Sequence, residues 1–338
     1  MINSFNIYRP GAPDYTNGAI MGLNAEANEV EASGKTVIRM TAGQAKDDNG
    51  NIFGFEPFRK VVADVVNNTS ANGLAAYSSP AGDPELAKML KERILGDSLD
   101  KLPEGVSTSE AVVPGGTGAL YTALSSLDGA IVTPKKVWPN IAGIIKQLPG
   151  EQRKVEKFNL LDSKGRFDKE SFVKAINQAR KSNKNINVLL VNPNANPQGL
   201  SFNESELEDL KQAFVDLDLH PDENINFIND TAYRELTLAN GEVKKDIVTE
   251  LPAFMKAMEG KNFNVVIANS ASKMGPFFGL LRLGANVIVS ANKDAVDNFK
   301  GRIGGAVRTS VSSVSTLSQA ILKEVLKREN QSKAQGRE

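Results

Sequence analysis

The sequence of 338 residues contains no cysteine, one histidine and one tryptophan. Without cysteine there can be no disulfide bond and no thiolate metal site, which fits a cytosolic protein but does not prove that location. The one histidine, His220, precedes Pro221 in a polar segment. A histidine-based catalytic triad and a multi-histidine metal site are therefore strongly disfavoured.

The sequence also lacks an excess of either charge and any long apolar run. Lysine plus arginine and aspartate plus glutamate number 40 each, so nothing favours binding to nucleic acid or to a membrane surface. No apolar run approaches the roughly 18–20 residues that span a bilayer, and residues 1–5 show no signal-peptide pattern. We therefore expect a soluble, cytoplasmic protein.

What the sequence does contain is an alternation of short apolar runs with amphipathic helical segments. This alternation predicts an α/β fold with three layers, α/β/α, in which helices cover both faces of a mostly parallel sheet. The predicted strands are 111–113, 131–133, 187–191, 225–228, 265–268 and 286–289. The predicted helices include 117–126, 169–180 and 205–217. Ser205 and Glu208 are predicted to form a capping box, and Asp83 is predicted to cap a helix that begins at Pro84.

The ends of the chain differ in character from its middle. Residues 1–55 begin with an extended polar stretch, continue with a helix-like segment around 19–32 and end in a Gly/Asp/Asn-rich connection. They are predicted to form an N-terminal arm and a segment of the small domain. Residues 56–312 carry the α/β alternation and are predicted to form the large domain. Residues 313–338 read as the start of a long helix leading to a small C-terminal domain that this chain lacks, so we expect an incomplete second domain.

Three polar residues follow two of the predicted strands directly. Asp230 and Tyr233 come after the strand 225–228, and Lys273 comes after 265–268. Ligands of open α/β sheets bind at the carboxyl ends of the strands. An acid, a phenol and an amine that meet at this edge can hold a pyridine ring, and the amine can bond to its aldehyde. The pattern therefore indicates pyridoxal phosphate.

Other residues supply what the rest of that cofactor needs. The glycine turn at 115–118, with Gly116 and Thr117, follows a strand and opens a helix, where backbone N–H groups can bind a phosphate. Taken alone, such a turn is often purely structural, and it lacks both the GxGxxG and the P-loop spacing. Ser270 and Arg282 flank Lys273 and offer further phosphate ligands, although a lysine in a glycine-rich loop is also an ordinary surface feature.

Two more polar or aromatic residues have both a structural and a functional interpretation. Asn196, in the Asn-Ala-Asn-Pro-Gln-Gly segment 194–199, can hydrogen-bond the 3′-oxygen of the ring together with Tyr233, or can belong to a plain turn. Trp138 can stack on the ring or serve as a core aromatic residue.

Taken together in their order, these elements resemble the fold-type I pyridoxal-phosphate aminotransferases of class I/II, and within them the aspartate/aromatic aminotransferase branch. The resemblance covers roughly residues 20–320, and its strongest signal is the pair Asp-x-Ala-Tyr and Ser-x-Ser-Lys. The matching elements are Tyr77 with the segment 78–83, the turn 115–120, Trp138 with 139–140, the segment 196–199, the segment 230–233, and the segment 270–273 with Arg282.

The resemblance implies a role for each matching residue around the cofactor. Lys273 would hold the cofactor as a Schiff base and move the proton between Cα and C4′, and Asp230 would pair with the ring nitrogen. Asn196 and Tyr233 would bind the 3′-oxygen, and Trp138 would stack over the ring. The phosphate would be held by Gly116, Thr117, Ser270 and Arg282, and by Tyr77 of the other subunit of a homodimer.

The resemblance also implies an activity and a substrate class: an aminotransferase whose substrates are an amino acid and a 2-oxo acid. Gly43 corresponds to a glycine at the substrate mouth, and Trp138 and Asn196 would also face the substrate. Arg308 falls where dicarboxylate-specific members place an arginine from the partner subunit, which favours aspartate or glutamate and leaves aromatic substrates open. The arginine that grips the substrate α-carboxylate is expected in the C-terminal small domain, beyond this chain.

Two other functions remain open at this point. Residues that bind the ring do not determine the reaction, so a C–S or β-lyase of the same fold is one alternative. A truncated cofactor-binding protein without turnover is the other, because the α-carboxylate arginine is missing from this chain. A nucleotide-binding α/β protein is disfavoured, because the sequence has neither a P-loop nor a Rossmann fingerprint.

Overall fold

In a computed structural model of the chain, residues 19–38, 56–239, 242–243, 245–274 and 279–335 are described. The chain divides into two compact units, Met1–Gly54 and Phe55–Glu338. The first unit contains the helix α1 (Ala19–Ala32), which confirms the helical segment predicted there. All elements named below belong to the second unit.

The second unit is built on a mixed sheet of seven strands. Its strands, with a short hairpin formed by β6 and β7, are β1 (Ser107–Val113), β2 (Ala130–Pro134), β3 (Val155–Phe158), β4 (Asn185–Val191), β5 (Asn224–Asp230), β6 (Leu238–Ala239), β7 (Glu242–Val243), β8 (Phe263–Ser270) and β9 (Gly284–Ser290). The helices are α2 (Glu56–Asn68), α3 (Ala71–Ala75), α4 (Pro84–Leu95), α5 (Gly115–Ser126), α6 (Pro139–Lys146), α7 (Lys169–Arg180), α8 (Glu204–Val215), α9 (Leu251–Ala257), α10 (Lys293–Ser310) and α11 (Thr316–Ala334).

The strand order in the large sheet is β1-β9-β8-β5-β4-β2-β3. Strand β9 runs antiparallel to both of its neighbours, β1 and β8, whereas the other neighbouring pairs are parallel. Helices cover both faces, so the predicted three-layer α/β fold is confirmed. Because β4, β5 and β8 are parallel neighbours, their carboxyl ends lie at one edge of the sheet.

The central strands are buried because helices cover both of their faces. Every residue of β8 and of β9 is buried, as expected for strands between two helical layers. On one side a row of aromatic rings fills the space between helices and sheet. Phe172 on α7 contacts Phe158 at 5.1 Å and Phe214 at 5.3 Å between ring centroids. Phe214 in turn lies 5.1 Å from Phe227 of β5, so α7 and α8 are fixed on the strands that carry the site.

A chain of buried amides crosses the opposite, amino-terminal edge of the same strands. Ser290 Oγ donates to Asn264 Oδ1, Asn264 Nδ2 to Asn226 Oδ1, and Asn226 Nδ2 to Asn187 Oδ1, at 2.5, 2.9 and 2.9 Å. Asn187 Nδ2 ends the chain at the carbonyl oxygen of Asp128, 2.8 Å away. If one strand slipped by one residue against its neighbour, these buried groups would be unpaired. The row of hydrogen bonds therefore favours the observed register of β9, β8, β5 and β4.

Two predicted helix starts have different outcomes. Asp83 accepts a hydrogen bond from the Leu86 N–H at 2.8 Å and caps α4 as predicted. The capping box of α8 was predicted two residues too late, because the structure forms it between Asn203 and Glu206. Phe202, just before this cap, is buried, and a buried residue at that position fixes where the chain enters the helix.

Helix α11 confirms the long helix predicted near the C-terminus. It is held by ion pairs to earlier elements of the same unit. Lys323 Nζ lies 2.7 Å from Asp83 Oδ2, and Arg328 Nη2 lies 2.9 Å from Asp64 Oδ2. The division into domains at residues 55 and 312 stays a prediction. Among the described helices, none combines the length and the apolar character needed to cross a membrane.

Candidate active site

The candidate site lies where β4, β5 and β8 end. Asp230 is the last residue of β5, and it pairs in register with Val191 at the end of β4 and with Ala268 of β8. Strand β8 ends two residues later at Ser270, and a single 3₁₀ turn, Ala271–Lys273, follows directly. Asp230 and Lys273, the predicted acid and amine, therefore lie at the same edge of the sheet.

Asp230 is buried, and its carboxylate accepts a hydrogen bond from the Ala232 N–H at 3.0 Å. Loss of solvent raises the pKa of Asp230 to about 7, and the hydrogen bond from Ala232 opposes that rise. A buried carboxylate with an elevated pKa is poised to accept a cationic N–H group, because the positive charge would return its pKa towards the ordinary value.

Lys273 lies beside the ring of Tyr233, with its Nζ 5.9 Å from the ring centroid. Partial burial lowers the pKa of the Lys273 amine, and the positive charge of Arg282 lowers it further. Both effects increase the fraction of neutral amine at a given pH. A neutral primary amine is the form that attacks an aldehyde or removes a proton.

The phenol of Tyr233 meets the loop that follows β4. Asn196 Nδ2 donates a hydrogen bond to the Tyr233 hydroxyl oxygen at 3.0 Å. The two residues were predicted to share one ligand atom, and the structure brings them into direct contact. Because the phenol oxygen accepts from Asn196, its own proton remains available for donation to a third group.

The glycine turn at 115–118 lies against Ser270, at the end of β8. Gly115 begins α5 with a φ of +76°, a conformation that suits glycine. A Cβ atom built on Gly116 would lie 2.8 Å from the Cβ of Ser270. Only a residue without a side chain allows this approach, which brings the first turn of α5 to the strand end.

Arg282 lies over the same turn. Its Nη1 donates to Ser272 Oγ at 3.1 Å, and its Nη2 would lie 3.2 Å from a Cβ built on Gly115. Helix N-termini and arginine side chains both attract anions. The combination of α5, Ser270 and Arg282 can hold a phosphate group. Thr117, also assigned to this group, lies in the first turn of α5 and is half-buried.

The remaining predicted residues lie elsewhere. Trp138 precedes α6 after the end of β2 and is half-buried against the core, so its stacking on a ring stays a prediction. Tyr77 is 88% exposed, and Arg308 is exposed on α10 with its Nη1 donating to Ser312 Oγ at 2.7 Å. Gly43 lies outside the described residues.

Sequence reasoning missed one residue that makes many contacts at the site. Asn194 was treated only as part of a turn, yet its side chain donates to the Tyr233 carbonyl oxygen at 3.2 Å. Its backbone has a φ of +58°. The available signal was an asparagine between two proline-containing steps, since asparagine tolerates the left-handed region better than most residues.

Known proteins match the chain over most of its length. A family model for aminotransferase class I and II matches residues 35–338. Among curated proteins, the aspartate/prephenate aminotransferase of Thermus thermophilus is 24% identical over 229 residues, which cover 66% of this chain and 52% of that protein. The aspartate aminotransferase of Bacillus subtilis is 23% identical over 262 residues, which cover 76% and 58%. The chain thus spans little more than half the length of these relatives.

Solved structures share the fold. An aminotransferase from Anaerococcus prevotii has a TM-score of 0.80 at 25% identity, covering 97% of this chain and 77% of that chain. The cytoplasmic aspartate aminotransferase of Saccharomyces cerevisiae has a TM-score of 0.73 at 20% identity, covering 96% and 74%. The matching family uses pyridoxal 5′-phosphate as its cofactor. Since the family model covers most of its length, the chain belongs to the class I and II aminotransferases.

Proposed function

We propose that this protein is a pyridoxal-phosphate aminotransferase that moves an amino group between an amino acid and a 2-oxo acid. The observation that carries the proposal is the convergence of Asp230, the Asn196–Tyr233 pair and Lys273 at one sheet edge, next to an anion-binding turn. Each of these groups matches one functional group of the cofactor in charge and hydrogen-bonding capacity, so the residues fit it.

When bound, pyridoxal phosphate supplies an aldehyde that accepts an amine and a protonated ring that withdraws electrons from the substrate Cα. Asp230 is assigned to hold the proton on the ring nitrogen, because its buried carboxylate gains most from a cationic donor. Tyr233 would donate a hydrogen bond from its hydroxyl group to the 3′-oxygen, while its oxygen accepts one from Asn196.

Lys273 is assigned two roles at a single atom, its Nζ. As a neutral amine it would hold the cofactor at its aldehyde group, and in the same neutral form it would remove the proton from the substrate Cα and return it. The lowered pKa of Lys273 favours both roles, because each needs the unprotonated amine.

The phosphate is assigned to the first turn of α5, with Gly116 and Thr117, and to Ser270 and Arg282. The tight contact between Gly116 and Ser270 supports this assignment, since it brings the first turn of α5 next to Ser270 at the end of β8.

Substrate preference and assembly complete the proposal. Trp138 is assigned to stack on the ring, and the role of Gly43 at the substrate mouth stays a prediction from the sequence resemblance. The exposed side chains of Tyr77 and Arg308 reach the neighbouring site in a homodimer, Tyr77 for the phosphate and Arg308 for the distal carboxylate of aspartate or glutamate. The surface positions of both residues are compatible with contact to a second copy of the chain.

The proposal is tested with Lys273→Ala and a matched control, Lys256→Ala, whose exposed side chain pairs with Glu259 at 2.7 Å. Purified protein is mixed with pyridoxal phosphate, and the visible absorption band of the lysine-bound cofactor is recorded. We expect the wild type and the Lys256 variant to develop the band and the Lys273 variant to lack it. An unchanged spectrum in the Lys273 variant would refute the assignment.

A second assay separates the possible reactions. Amino transfer that depends on an added 2-oxo acid supports an aminotransferase, whereas release of pyruvate and ammonia without an acceptor would indicate a lyase. Cofactor binding with neither activity would indicate a binding protein without turnover. Aspartate, glutamate and phenylalanine serve as amino donors and read out the preference assigned to Arg308, and an S-alkylcysteine, whose thiol can leave from Cβ, serves as the lyase substrate.

A further inference from the structure

Asn194, in the loop after β4, is oriented by a contact within its own loop. Its backbone N–H donates to Ser201 Oγ at 3.0 Å. The hydroxyl of Ser201, which has only one proton, donates that proton to Asn194 Oδ1 at 3.2 Å. Because Oδ1 is thus engaged, the amide orientation is determined, and Nδ2 faces the other way, towards the segment that follows β5.

Asn194 Nδ2 donates two hydrogen bonds to the segment that follows β5. One is donated to the Tyr233 carbonyl oxygen at 3.2 Å and the other to Thr237 Oγ1 at 2.5 Å. Thr237 is buried, and its own hydroxyl donates to the same carbonyl at 3.4 Å. The Tyr233 carbonyl oxygen therefore accepts hydrogen bonds from two side chains, Asn194 in the loop after β4 and Thr237 in the segment after β5.

Tyr233 is consequently held at both of its ends by one loop. Asn194 binds its carbonyl oxygen, and Asn196, two residues further on, binds its hydroxyl oxygen at 3.0 Å. The loops after β4 and β5 are thereby connected at two points. If the first connection is lost, the backbone of Tyr233 can shift relative to Asn196, and the phenol moves with it.

From this geometry we propose that Asn194 is a positioning residue, which holds Tyr233 so that its hydroxyl meets both Asn196 and the ring 3′-oxygen. This proposal rests on the proposed function, because it assumes that Tyr233 donates to that oxygen. Asparagine suits the position for two reasons. It tolerates the backbone φ of +58°, and its amide supplies the two donors that the Tyr233 and Thr237 oxygens need.

The test measures the pKa of the lysine–cofactor linkage from the pH dependence of its visible absorption. Donation by Tyr233 stabilises a negative 3′-oxygen and so weakens the hold of that oxygen on the neighbouring proton. Tyr233→Phe removes the donor and should raise this pKa by about one unit or more. Asn194→Gly keeps the left-handed backbone but removes the amide, and it should raise the same pKa by a smaller amount.

A double variant separates an effect of Asn194 on the position of the Tyr233 hydroxyl from an effect on the site as a whole. In the Tyr233→Phe background, Asn194→Gly should change the pKa by less than a third of its effect in the wild type, since the hydroxyl it positions is gone. Asn194→Asp, which keeps the shape of the side chain, is measured in both backgrounds as a second variant. Its added negative charge acts in either background, so only the difference between the two backgrounds reports positioning.

The outcomes distinguish this proposal from the function on which it rests. If no visible band forms with the wild type, the proposed function fails. If the band forms but Asn194→Gly leaves its pKa unchanged, or shifts it equally in both backgrounds, Asn194 is not a positioning residue. Asn177→Ala, an exposed asparagine on α7 that contacts Arg180, serves as the control and should leave the pKa unchanged.

Discussion

Asp230→Asn should change the stability of the cofactor-free protein in opposite directions at low and at high pH. The pKa of a free aspartate carboxyl is about 3.9, and burial, which disfavours the charge, raises the pKa of Asp230 to about 7 in the folded chain. Between these values the folded state binds more protons than the unfolded state. The free energy of unfolding therefore falls as pH rises from about 4 to about 7, by about 4 kcal/mol in total.

The variant carries no charge and escapes this loss. Its Oδ1 can still accept from the Ala232 N–H, whereas its buried Nδ2 needs a new acceptor at a cost of about 1–3 kcal/mol. At pH 8 the variant should therefore be more stable than the wild type by about 1–3 kcal/mol. At pH 4, where the wild-type carboxyl is protonated, it should be less stable by a similar amount.

The assay is urea denaturation without cofactor at pH 4, 6 and 8, followed by titration with pyridoxal phosphate at pH 8. The same variant should bind the cofactor more weakly, because the ring nitrogen loses its anionic partner. A gain in stability together with a loss of binding would mean that the acid is present for function. If Asp230→Asn destabilises the protein equally at all three pH values, the carboxylate is not desolvated as described.

A second buried aspartate provides the control. Asp246 lies 2.5 Å from Arg234 Nε, and its Oδ1 accepts from the Thr249 N–H at 2.8 Å. Asp246→Asn removes one charge of a buried pair and leaves the other uncompensated, which costs about 3–5 kcal/mol. The same substitution should thus lower stability at pH 8 here and raise it at Asp230. Equal signs at the two positions would contradict the reasoning.

Three further predictions follow from individual contacts. Gly116→Ala should weaken binding of the cofactor, because the new Cβ meets Ser270 at 2.8 Å, whereas Gly305→Ala on α10, with nothing within 4 Å, should leave binding unchanged; equal affinities would argue against the phosphate site. Asn226→Leu should lower the free energy of unfolding by about 1–3 kcal/mol in urea, since it breaks the chain of buried amides; an unchanged value would show that the chain does not stabilise the sheet. Arg282→Gln should raise the pKa of Lys273 and shift the pH dependence of cofactor attachment upwards, and an unchanged profile would exclude a charge effect.

The order of elements could be predicted from the sequence because each of the six predicted strands contains a short run rich in apolar residues. Each of the six predicted strands lies within an observed one, and the observed strands extend further at one or both ends. Strand β3 was not predicted, because it lies at the sheet edge and its central residues are glutamate and lysine. The start of α8 was misplaced, because Asn203 and Ser205 are both good capping residues and local sequence does not choose between them.

The candidate site was predictable in its residues but not in its connections. The positions of Asp230 and Lys273 after apolar runs were enough to place both at the strand ends. The burial that raises the pKa of Asp230 depends on neighbouring strands and helices, so it is invisible in the local sequence. The link between Asn194 and Tyr233 joins residues 39 positions apart, and only the parallel register of β4 and β5 brings them together.

The central claim is that the Lys273 amine bonds to the aldehyde of the cofactor. The protein is loaded with pyridoxal phosphate, reduced with sodium borohydride to make the carbon–nitrogen bond permanent, digested and analysed by mass spectrometry. The account predicts that the phosphopyridoxyl group is found on the peptide that contains Lys273. Its recovery on a different lysine, or its absence from every peptide, would contradict the account.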